Sequence, residues 1–274
     1  MTDRPTEARN PKASRLDTLT TREILELMND EDSTVPAAVR SALPAIEKAI
    51  DEIVAAFARG GRLRYIGAGT SGRLGVLDAS EAPPTFGVEP DVVRGIIAGG
   101  DTALREAVEG AEDDALSGAR EARDHVRSSD VVVGISASGR ARYVVAALAL
   151  AHDIGARTVA LTCDAASTLA QSADIVIAVD VGPEILAGSS RLKAGTATKL
   201  VLNMLSTAAM IRSGRTRGDL MVDLRATNAK LRERAVRMVR EVTWIDEDAA
   251  RARLEANDWS VRRSLQTPGG QPRR

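Results

Sequence analysis

The sequence predicts an α/β protein: an open parallel sheet flanked by helices, with further helices before it and a small helical bundle after it. Short apolar segments of strand length alternate with helical segments through the middle of the chain, which is typical of parallel sheets. Two of the apolar segments lead directly into turns rich in glycine and serine. Open α/β sheets bind ligands at the carboxyl ends of their strands, so we expect the binding site at these turns.

The composition excludes several classes of protein. The chain has 274 residues and a formal net charge of -1, so bulk charge does not favour binding to nucleic acid or to anionic membranes. Phe, Tyr and Trp occur only 2 times each, too few for the stacking platforms that bind single-stranded nucleic acid. The single cysteine, Cys163, cannot form an internal disulfide, and we expect a packed core thiol. Since we find neither a signal peptide nor an apolar run of about 20 residues, we expect a cytoplasmic protein without a membrane segment.

The N-terminal region predicts an arm followed by helices. Residues 1–18 are polar, and we expect them to be irregular. Thr20 and Glu23 form a capping-box pattern ahead of a short amphipathic helix. Apolar residues then recur at steps of three and four over residues 39–57, which predicts one long helix that ends at Gly60 and Gly61.

Strands and helices alternate after Gly61. Strands are predicted at residues 63–66, 91–98, 129–135, 157–162 and 174–180. The third is apolar throughout, as a strand covered on both faces would be. Helices are predicted at residues 103–126, 142–154, 167–171 and 193–211.

These elements divide the chain into four predicted parts. They are an arm with helices (1–50), an α/β domain (51–214), a helical bundle (215–266) and a disordered tail (267–274). Residues 246–265 predict two short helices with a break at Asn257 and Asp258. Residues 212–240 carry nine basic and three acidic residues, which we interpret as a solvated helix face or a subunit contact; a phosphate or nucleic-acid contact is the alternative.

The first candidate ligand turn is GAGTSGRLG, residues 67–75, between a predicted strand and a helix. Backbone N–H groups at a helix start bind anions, and glycines such as Gly69 let a ligand approach closely. The dinucleotide pattern G-x-G-x-x-G is present, but the second strand ends IIAGG, without the acidic residue that would hold a ribose. Thr70 and Ser71 favour hydroxyl contacts with a phosphate monoester instead. An ordinary tight strand–helix turn is the structural alternative.

The second candidate turn is GISASGRA, residues 134–141, which also follows a strand and opens a helix. It offers the hydroxyls of Ser136 and Ser138 beside Gly139. Because the carboxyl ends of parallel strands meet at one edge of the sheet, the two turns can face one ligand. Together they predict a small phosphorylated metabolite held by neutral donors and helix N-termini.

The third candidate turn is GSSRLKAGTATK, residues 188–199, where small and hydroxyl residues precede a helix. Ser189 and Lys193 make it a possible ligand turn, and a crowded packing site is an equal alternative. His125 and His152 have no partners at metal-ligand spacing, so we expect no metal site.

Two glutamates are candidates for acid/base chemistry. Glu81, in DASEAPPTFG, is expected at a helix end near the first turn, because Pro83 and Pro84 should stop the helix just after it. Glu112, in EGAEDD, is the second candidate, although an acidic residue on a helix face is usually solvated. Acid/base work requires a pair of carboxylates in different environments, and the spacing leaves open whether these two converge.

In several separated blocks the chain resembles the N-acetylmuramic acid 6-phosphate etherases, which have the sugar isomerase (SIS) fold. The blocks are TEARNP (6–11), LMNDED (27–32), GAGTSGRLGVLDASEAPPTFG (67–87), EGAEDD (109–114), GISASGR (134–140), GSSRLKAGTATK (188–199) and DLMVDLRATN (219–228). The C-terminal segment is similar to the small ubiquitin-associated-like bundle of such proteins. Ala82 departs from the family, which usually has cysteine after the motif glutamate; that cysteine is not among the residues the mechanism needs.

The resemblance implies cleavage of the D-lactyl ether of N-acetylmuramic acid 6-phosphate, giving N-acetylglucosamine 6-phosphate and D-lactate, without a metal or organic cofactor. In the open-chain aldehyde a base removes the C2 proton, lactate leaves C3, and water adds to the unsaturated aldehyde. Carried onto this chain, Glu81 would protonate the departing lactate and then activate water, and Glu112 would be the C2 base. The serines and threonine of the first two turns would hold the 6-phosphate.

Other functions fit parts of this pattern. A non-catalytic sugar-phosphate regulator, like the related glucokinase regulatory protein, would not need both glutamates, and an aldose–ketose phosphate isomerase would differ in its product. A nucleotide-dependent dehydrogenase is disfavoured by the missing acidic residue. The resemblance also implies a homodimer, since SIS domains of this kind usually pair. In addition, the apolar stripe of the long N-terminal helix needs another protein surface to cover it.

Overall fold

The computed structural model describes residues 5–266, so the tail predicted at residues 267–274 lies outside the described residues. The arm contains short 3-10 helices at Pro5–Glu7, Pro11–Ala13 and Leu16–Thr18. Helix α1 (Thr21–Asp32) follows it and begins with the predicted capping box. The Thr20 hydroxyl accepts a hydrogen bond from the Glu23 N–H at 3.3 Å, and the Glu23 carboxylate accepts one from the Thr20 N–H at 2.7 Å.

The single long helix predicted over residues 39–57 is wrong, because two helices occupy this region. They are α2 (Val35–Ser41) and α3 (Leu43–Ala58). Pro44 lies in the first turn of α3, where its missing N–H leaves no hydrogen bond unmade. In a continuous helix the same ring would clash with the carbonyl four residues earlier, so the chain breaks at Ala42.

The apolar face of α3 is covered within the chain itself. Its buried residues Ile46, Ala49, Ile53 and Ala56 pack the helix against the sheet. The uncovered stripe that the sequence suggested is therefore absent, and it gives no reason to expect a second subunit.

Five parallel strands form the sheet within the described residues, as predicted. They are β1 (Leu63–Gly67), β2 (Val93–Ile97), β3 (Val131–Ile135), β4 (Arg157–Thr162) and β5 (Ile175–Ala178). Their order is β2-β1-β3-β4-β5. Since β1 lies between β2 and β3, the connections after β1 and β3 diverge at its carboxyl end, which is the switch point where open sheets bind ligands.

A helix follows each of the five strands, and helices flank the sheet. They are α4 (Gly69–Phe86), α5 (Ala115–His125), α6 (Arg142–Asp153), α7 (Thr168–Gln171) and α8 (Lys193–Arg212). The predictions for α6, α7 and α8 are confirmed to within one residue at each end. One face of the sheet packs Val132 and Ile66 against Val144 and Leu148 of α6. Cys163, which follows β4, is a buried thiol as expected, and desolvation raises its pKa to about 12.

Buried charges close the amino end of the sheet. Asp130, fully buried before β3, accepts hydrogen bonds from the Arg62 backbone N–H at 3.0 Å and from its guanidinium at 2.8 Å. Arg64, fully buried on β1, donates to the Asp91 carbonyl at 2.7 Å and to its carboxylate at 3.0 Å. Because each of these charges is paired, they hold β1, β2 and β3 together at this end.

The described residues form two compact units, one of residues 5–80 and 91–209 and one of residues 81–90 and 210–266. The second unit contains α9 (Ala229–Thr243), α10 (Glu247–Glu255) and α11 (Val261–Gln266), and α10 and α11 are the two short helices predicted. These three helices share an apolar core that includes Val222, Leu224, Val239, Leu254 and Val261. Within residues 5–266, none of the helices combines the length and the apolar composition that a membrane span requires.

Helix α4 packs on the sheet with backbone against backbone. A Cβ added at Gly72 would lie 2.6 Å from Ile97 Cγ1 and 2.8 Å from the Gly67 carbonyl oxygen. A Cβ added at Gly95, on β2, would lie 2.5 Å from the Cα of Val76 in α4. Carbon atoms in contact are normally about 3.5–4 Å apart, so this approach requires glycine on both surfaces.

We predict that Gly95→Ala lowers the free energy of unfolding by about 1–3 kcal/mol, because the methyl group would meet the Val76 backbone, which cannot rotate away. Gly195→Ala is the matched control, since the nearest atom there is 3.7 Å from the added Cβ and alanine favours the helix by about 1 kcal/mol. Urea unfolding followed by circular dichroism would measure both midpoints. An unchanged midpoint for Gly95→Ala would contradict the backbone contact.

Candidate active site

The first turn places open backbone and two hydroxyls at the start of α4. Gly69 is exposed, and a Cβ added there would meet nothing within 4 Å. Thr70 and Ser71 follow, half-buried, in the first turn of the helix, where backbone N–H groups have no partner within the helix. Gly72 behaves differently, since it packs on the sheet. The glycines of this motif thus divide between helix packing and an open face that can receive an anion.

The second turn is fastened to the end of β4. The carbonyl of Ala137 accepts hydrogen bonds from the Thr162 hydroxyl at 3.2 Å and from the Cys163 N–H at 2.9 Å. Ser136 is buried, and Ser138 is half-buried. A Cβ added at Gly139 would lie 2.1 Å from the Ser167 hydroxyl oxygen, so this glycine lets the turn sit against the next loop.

The third turn is held by a buried carboxylate that sequence reasoning missed. Glu184, 2% exposed, accepts hydrogen bonds from the Lys193 N–H and the Ala194 N–H, both at 3.0 Å, and so caps α8. Nothing in the sequence marks this cap, because Glu184 lies nine residues before Lys193 and outside any local capping pattern. Ser189 is half-buried in the turn itself.

Lys193 has a partner inside the protein. Its ammonium group donates to Glu31 at 2.7 Å, and both side chains are almost fully buried. The sequence suggested Lys193 as a substrate ligand, and that role stays a prediction. The contact that the structure gives it is structural, since it joins α8 to α1.

The three turns meet at one edge of the sheet. In the parallel register Gly67 of β1 pairs with Ile135 of β3, so the first and second turns leave the sheet side by side. A Cβ added at Gly195, in the first turn of α8, would lie 3.7 Å from Thr70 Cγ2, so the third turn borders the first. The structure therefore brings together all three turns that the sequence singled out.

Glu112 lies on a short 3-10 helix at Ala111–Asp113, and not on the helix predicted over residues 103–126. That prediction is wrong before residue 115, because Gly110 adopts a φ of +72° and the Asp114 side chain caps a new helix at Ser117 N–H, 2.9 Å away. The segment follows β2, the neighbour of β1, and so belongs to the same edge of the sheet. The Glu112 side chain is exposed.

An arginine of α4 holds the loop before Glu112. The Arg73 guanidinium donates to the Glu106 carbonyl at 3.0 Å and to the Leu104 carbonyl at 3.4 Å. Ala111 packs against the apolar core that the sheet forms with α6. The loop that carries Glu112 is thus tied both to the helix of the first turn and to the core.

Glu81 lies inside α4, because the helix does not stop at the two prolines as predicted. It continues through Pro83 and Pro84 to Phe86. Each proline removes one helical hydrogen bond and its ring crowds the carbonyl four residues earlier, but its φ is itself helical, and here the chain keeps a helical course. The helix ends where Gly87 adopts a φ of +64° and donates to the Pro83 carbonyl at 3.0 Å. The Glu81 side chain is exposed and lies about 18 Å along α4 from Gly69, so the expectation that it is near the first turn is wrong. The residue belongs to the second compact unit.

Asp78 is a buried carboxylate of α4 that sequence reasoning missed. It accepts hydrogen bonds from the Tyr65 hydroxyl at 3.0 Å, the Asn203 amide at 2.8 Å and the Ser206 hydroxyl at 3.1 Å. Burial raises its pKa, and the hydrogen bonds from Asn203, Tyr65 and Ser206 oppose that rise. Asp78 thus joins α4 to β1 and α8, the elements that carry the first and third turns.

Comparisons with known proteins match the α/β domain and most of the chain. The model of the glucokinase regulatory protein N-terminal SIS domain matches residues 45–152, and the SIS domain model matches residues 113–208. The chain is 53% identical over 260 residues to the N-acetylmuramic acid 6-phosphate etherase of Jannaschia sp. (strain CCS1), covering 94% of this chain and 82% of that protein. It is 55% identical over 261 residues to the protein of that name from Gloeobacter violaceus, covering 95% and 85%.

Solved structures share the fold at lower identity. A phosphoheptose isomerase from Francisella tularensis superposes with a TM-score of 0.54 at 20% identity, covering 70% of this chain and 100% of that chain. A protein of E. coli CFT073 in complex with A5P gives a TM-score of 0.53 at 19% identity, covering 73% and 97%. These likenesses, together with the domain matches, confirm the predicted SIS-type α/β fold.

We predict that Asp78→Ala lowers the free energy of unfolding by about 1–3 kcal/mol, because it leaves the fully buried Tyr65 hydroxyl without its acceptor. Adding Tyr65→Phe to this variant should cost less than Tyr65→Phe alone, since the two residues share one hydrogen bond. Ser80→Ala, exposed on the same helix, is the control and should change little. The denaturant midpoints of the four variants measure the energetic coupling between Asp78 and Tyr65. Strictly additive effects of the two single substitutions would exclude this coupling.

Proposed function

The chain belongs to the family of N-acetylmuramic acid 6-phosphate etherases, and we propose that it cleaves the lactyl ether of that sugar phosphate at the edge where its three turns meet. The observation that carries the proposal is the convergence of these turns in a chain more than half identical to named etherases. The chain is accordingly an enzyme, and its ligand is a sugar phosphate.

In our proposal the first two turns hold the 6-phosphate. The donors are the hydroxyls of Thr70, Ser71, Ser136 and Ser138, with the backbone N–H groups at the start of α4. Neutral donors and a helix N-terminus suit a dianion, because the positive end of the helix dipole faces it. The open backbone at Gly69 lets the phosphate approach, and Ser189 of the third turn borders the same space.

The proposed chemistry begins with the open-chain aldehyde, whose carbonyl acidifies the C2 proton. Glu112 takes this proton while the C3–O bond breaks, and Glu81 gives its proton to the departing ether oxygen, which leaves as D-lactate. Water then adds at C3 of the unsaturated aldehyde and returns a proton to Glu81, and C2 regains the proton held by Glu112. Each carboxyl group ends in the state in which it began, so no cofactor is consumed.

Both glutamates are exposed in the single chain. General acid/base catalysis requires two carboxyl groups in different, partly desolvated environments. We infer that bound substrate and a second copy of the chain shield these two carboxyl groups from solvent. Ala82, the departure from the family, is 2% exposed, so its side chain faces the interior, whereas the Glu81 side chain is exposed.

We further propose a homodimer that pairs through α4 and α8. Leu77 and Met204 are exposed apolar side chains, 55% and 36% exposed. They are sequence neighbours of Asp78 and Asn203, whose hydrogen bond brings the two helices together. Exposed apolar side chains on adjacent helices are typical of an interface.

The substrate also suggests a cellular role. N-acetylmuramic acid is a sugar of the bacterial cell wall, so the proposed role is recycling of peptidoglycan sugars. A phosphorylated sugar does not cross membranes freely, which favours a cytoplasmic location.

We expect the purified protein to release D-lactate from N-acetylmuramic acid 6-phosphate with a chelator present. Glu81→Gln and Glu112→Gln should each lower kcat at least about 100-fold, because the amide retains the shape but cannot transfer the proton. Both variants should still bind N-acetylglucosamine 6-phosphate by calorimetry. Glu106→Gln, an exposed carboxylate of the loop before Glu112, is the control and should retain activity.

The outcomes separate the competing functions. Binding of the sugar phosphate without lactate release by the wild-type protein would favour a regulator, and a ketose phosphate product would favour an isomerase. Full activity of either glutamine variant would remove that glutamate from the mechanism.

Sedimentation at micromolar concentration should give the mass of a dimer. Leu77→Glu should shift the protein toward the monomer, because it places a charge in the proposed apolar contact, whereas Leu77→Met should not. A monomeric wild-type protein would contradict the homodimer.

A further inference from the structure

The TEARNP segment (residues 6–11) has no role in the proposed chemistry, yet it is firmly held. Thr6 and Asn10 are buried, and Glu7, between them, is exposed. The Asn10 amide donates to the Glu31 carboxylate at 2.8 Å and to the Pro183 carbonyl at 3.4 Å. Polar terminal segments are usually poorly ordered unless other residues hold them. Here these contacts fix the position of the segment beside the loop that leads into the third turn.

Glu31 is the centre that holds the segment. Besides Asn10, its carboxylate accepts hydrogen bonds from Lys12 at 2.8 Å and Lys193 at 2.7 Å. The hydrogen bonds from Lys12 and Lys193 lower the pKa of Glu31 to about 2, so the carboxylate is ionised throughout the working pH range. Lys193 belongs to the third turn and begins α8. One buried carboxylate therefore attaches both the TEARNP segment and the third turn.

This attachment places the Glu7 carboxylate beside the third turn. A Cβ added at Gly188 would lie 3.4 Å from Glu7 Oε2. The turn continues through Ser189 and Ser190, and the Ser190 carbonyl lies near the point where Gly195 approaches Thr70 of the first turn. Glu7 makes no hydrogen bond or ion pair with any residue in the range 5–266, so its acceptors remain available.

We infer that Glu7 contacts the substrate and contributes to its selection. This inference rests on the proposed function, because it assumes that a sugar phosphate occupies the turns. A carboxylate accepts hydrogen bonds and repels anions, so Glu7 faces the neutral hydroxyl or amide N–H donors of the sugar and not its phosphate. The TEARNP segment thus borders the site, and Asn10 and Glu31 are positioning residues that hold the segment there.

The test uses the full chain and the variants Glu7→Ala and Glu7→Gln, with Glu26→Gln, an exposed carboxylate of α1, as the matched control. We expect Glu7→Ala to raise KM for N-acetylmuramic acid 6-phosphate about 10- to 100-fold with kcat nearly unchanged, as for the loss of a hydrogen bond to a charged group. Glu7→Gln retains one acceptor and should lie between Glu7→Ala and the wild type. Unchanged KM in both variants of an active enzyme would overturn the inference.

Calorimetry distinguishes a direct contact of Glu7 with the sugar from a purely structural role of the TEARNP segment. Glu7→Ala should weaken binding of N-acetylglucosamine 6-phosphate and leave binding of inorganic phosphate equal or tighter, because a negative charge has been removed. Loss of both affinities together would mean that the segment only supports the fold, and would overturn the contact. A wild-type protein that binds neither ligand would count against the proposed function itself.

Asn10→Ala tests the positioning role, since it releases the segment without leaving Glu31 unpaired. We expect it to raise KM in the same direction as Glu7→Ala, and the double variant to be no worse than the more affected single one. An effect of Asn10→Ala in the absence of any effect of Glu7→Ala would contradict the role of Glu7.

Discussion

The close approach of α4 to the sheet is the constraint on which the rest of the structure depends. Gly72 on the helix and Gly95 on β2 leave no room for a Cβ, so backbone meets backbone at this contact. The position of α4 in turn sets the first turn, the Asp78 contacts and the Arg73 contacts to the loop before Glu112. A glycine motif that suggests ligand binding therefore has packing as its first physical role, and the ligand face is what remains open at Gly69.

Buried carboxylates assemble the other side of the site. Glu184 caps α8, and Glu31 joins α1, α8 and the N-terminal segment through Lys193 and Asn10. A buried charge is costly unless it is paired and hydrogen-bonded, and Glu31 accepts hydrogen bonds from three donors, two of which are ammonium groups. This network fixes how α1, α8 and the N-terminal segment lie relative to one another.

The two ends of the sheet differ in a way that suits an enzyme. At the amino end the fully buried Asp130 is paired with the half-buried Arg62. At the carboxyl end Thr70, Ser71 and Ser138 are half-buried, and the carboxylate of Glu112 is exposed. The closed end supplies rigidity, and the open end leaves its polar groups to be satisfied by a ligand or a second chain.

The sequence by itself determined the alternation of strands and helices, the five strands, the capping box of α1 and the three turns at the sheet edge, because hydrophobic period and local hydrogen bonding are short-range properties. The predicted helix boundaries were wrong where the folded chain does not follow the local sequence preference. Pro83 and Pro84 continue α4 instead of ending it, and Gly110 breaks the helix expected before Glu112. Only the tertiary structure decided that Lys193 pairs with Glu31, 162 residues away, that Asp78 is buried, and that Glu7 lies beside Gly188. The physical reason is that the partner of a charged side chain depends on which segments the fold brings together, and no local pattern encodes that choice.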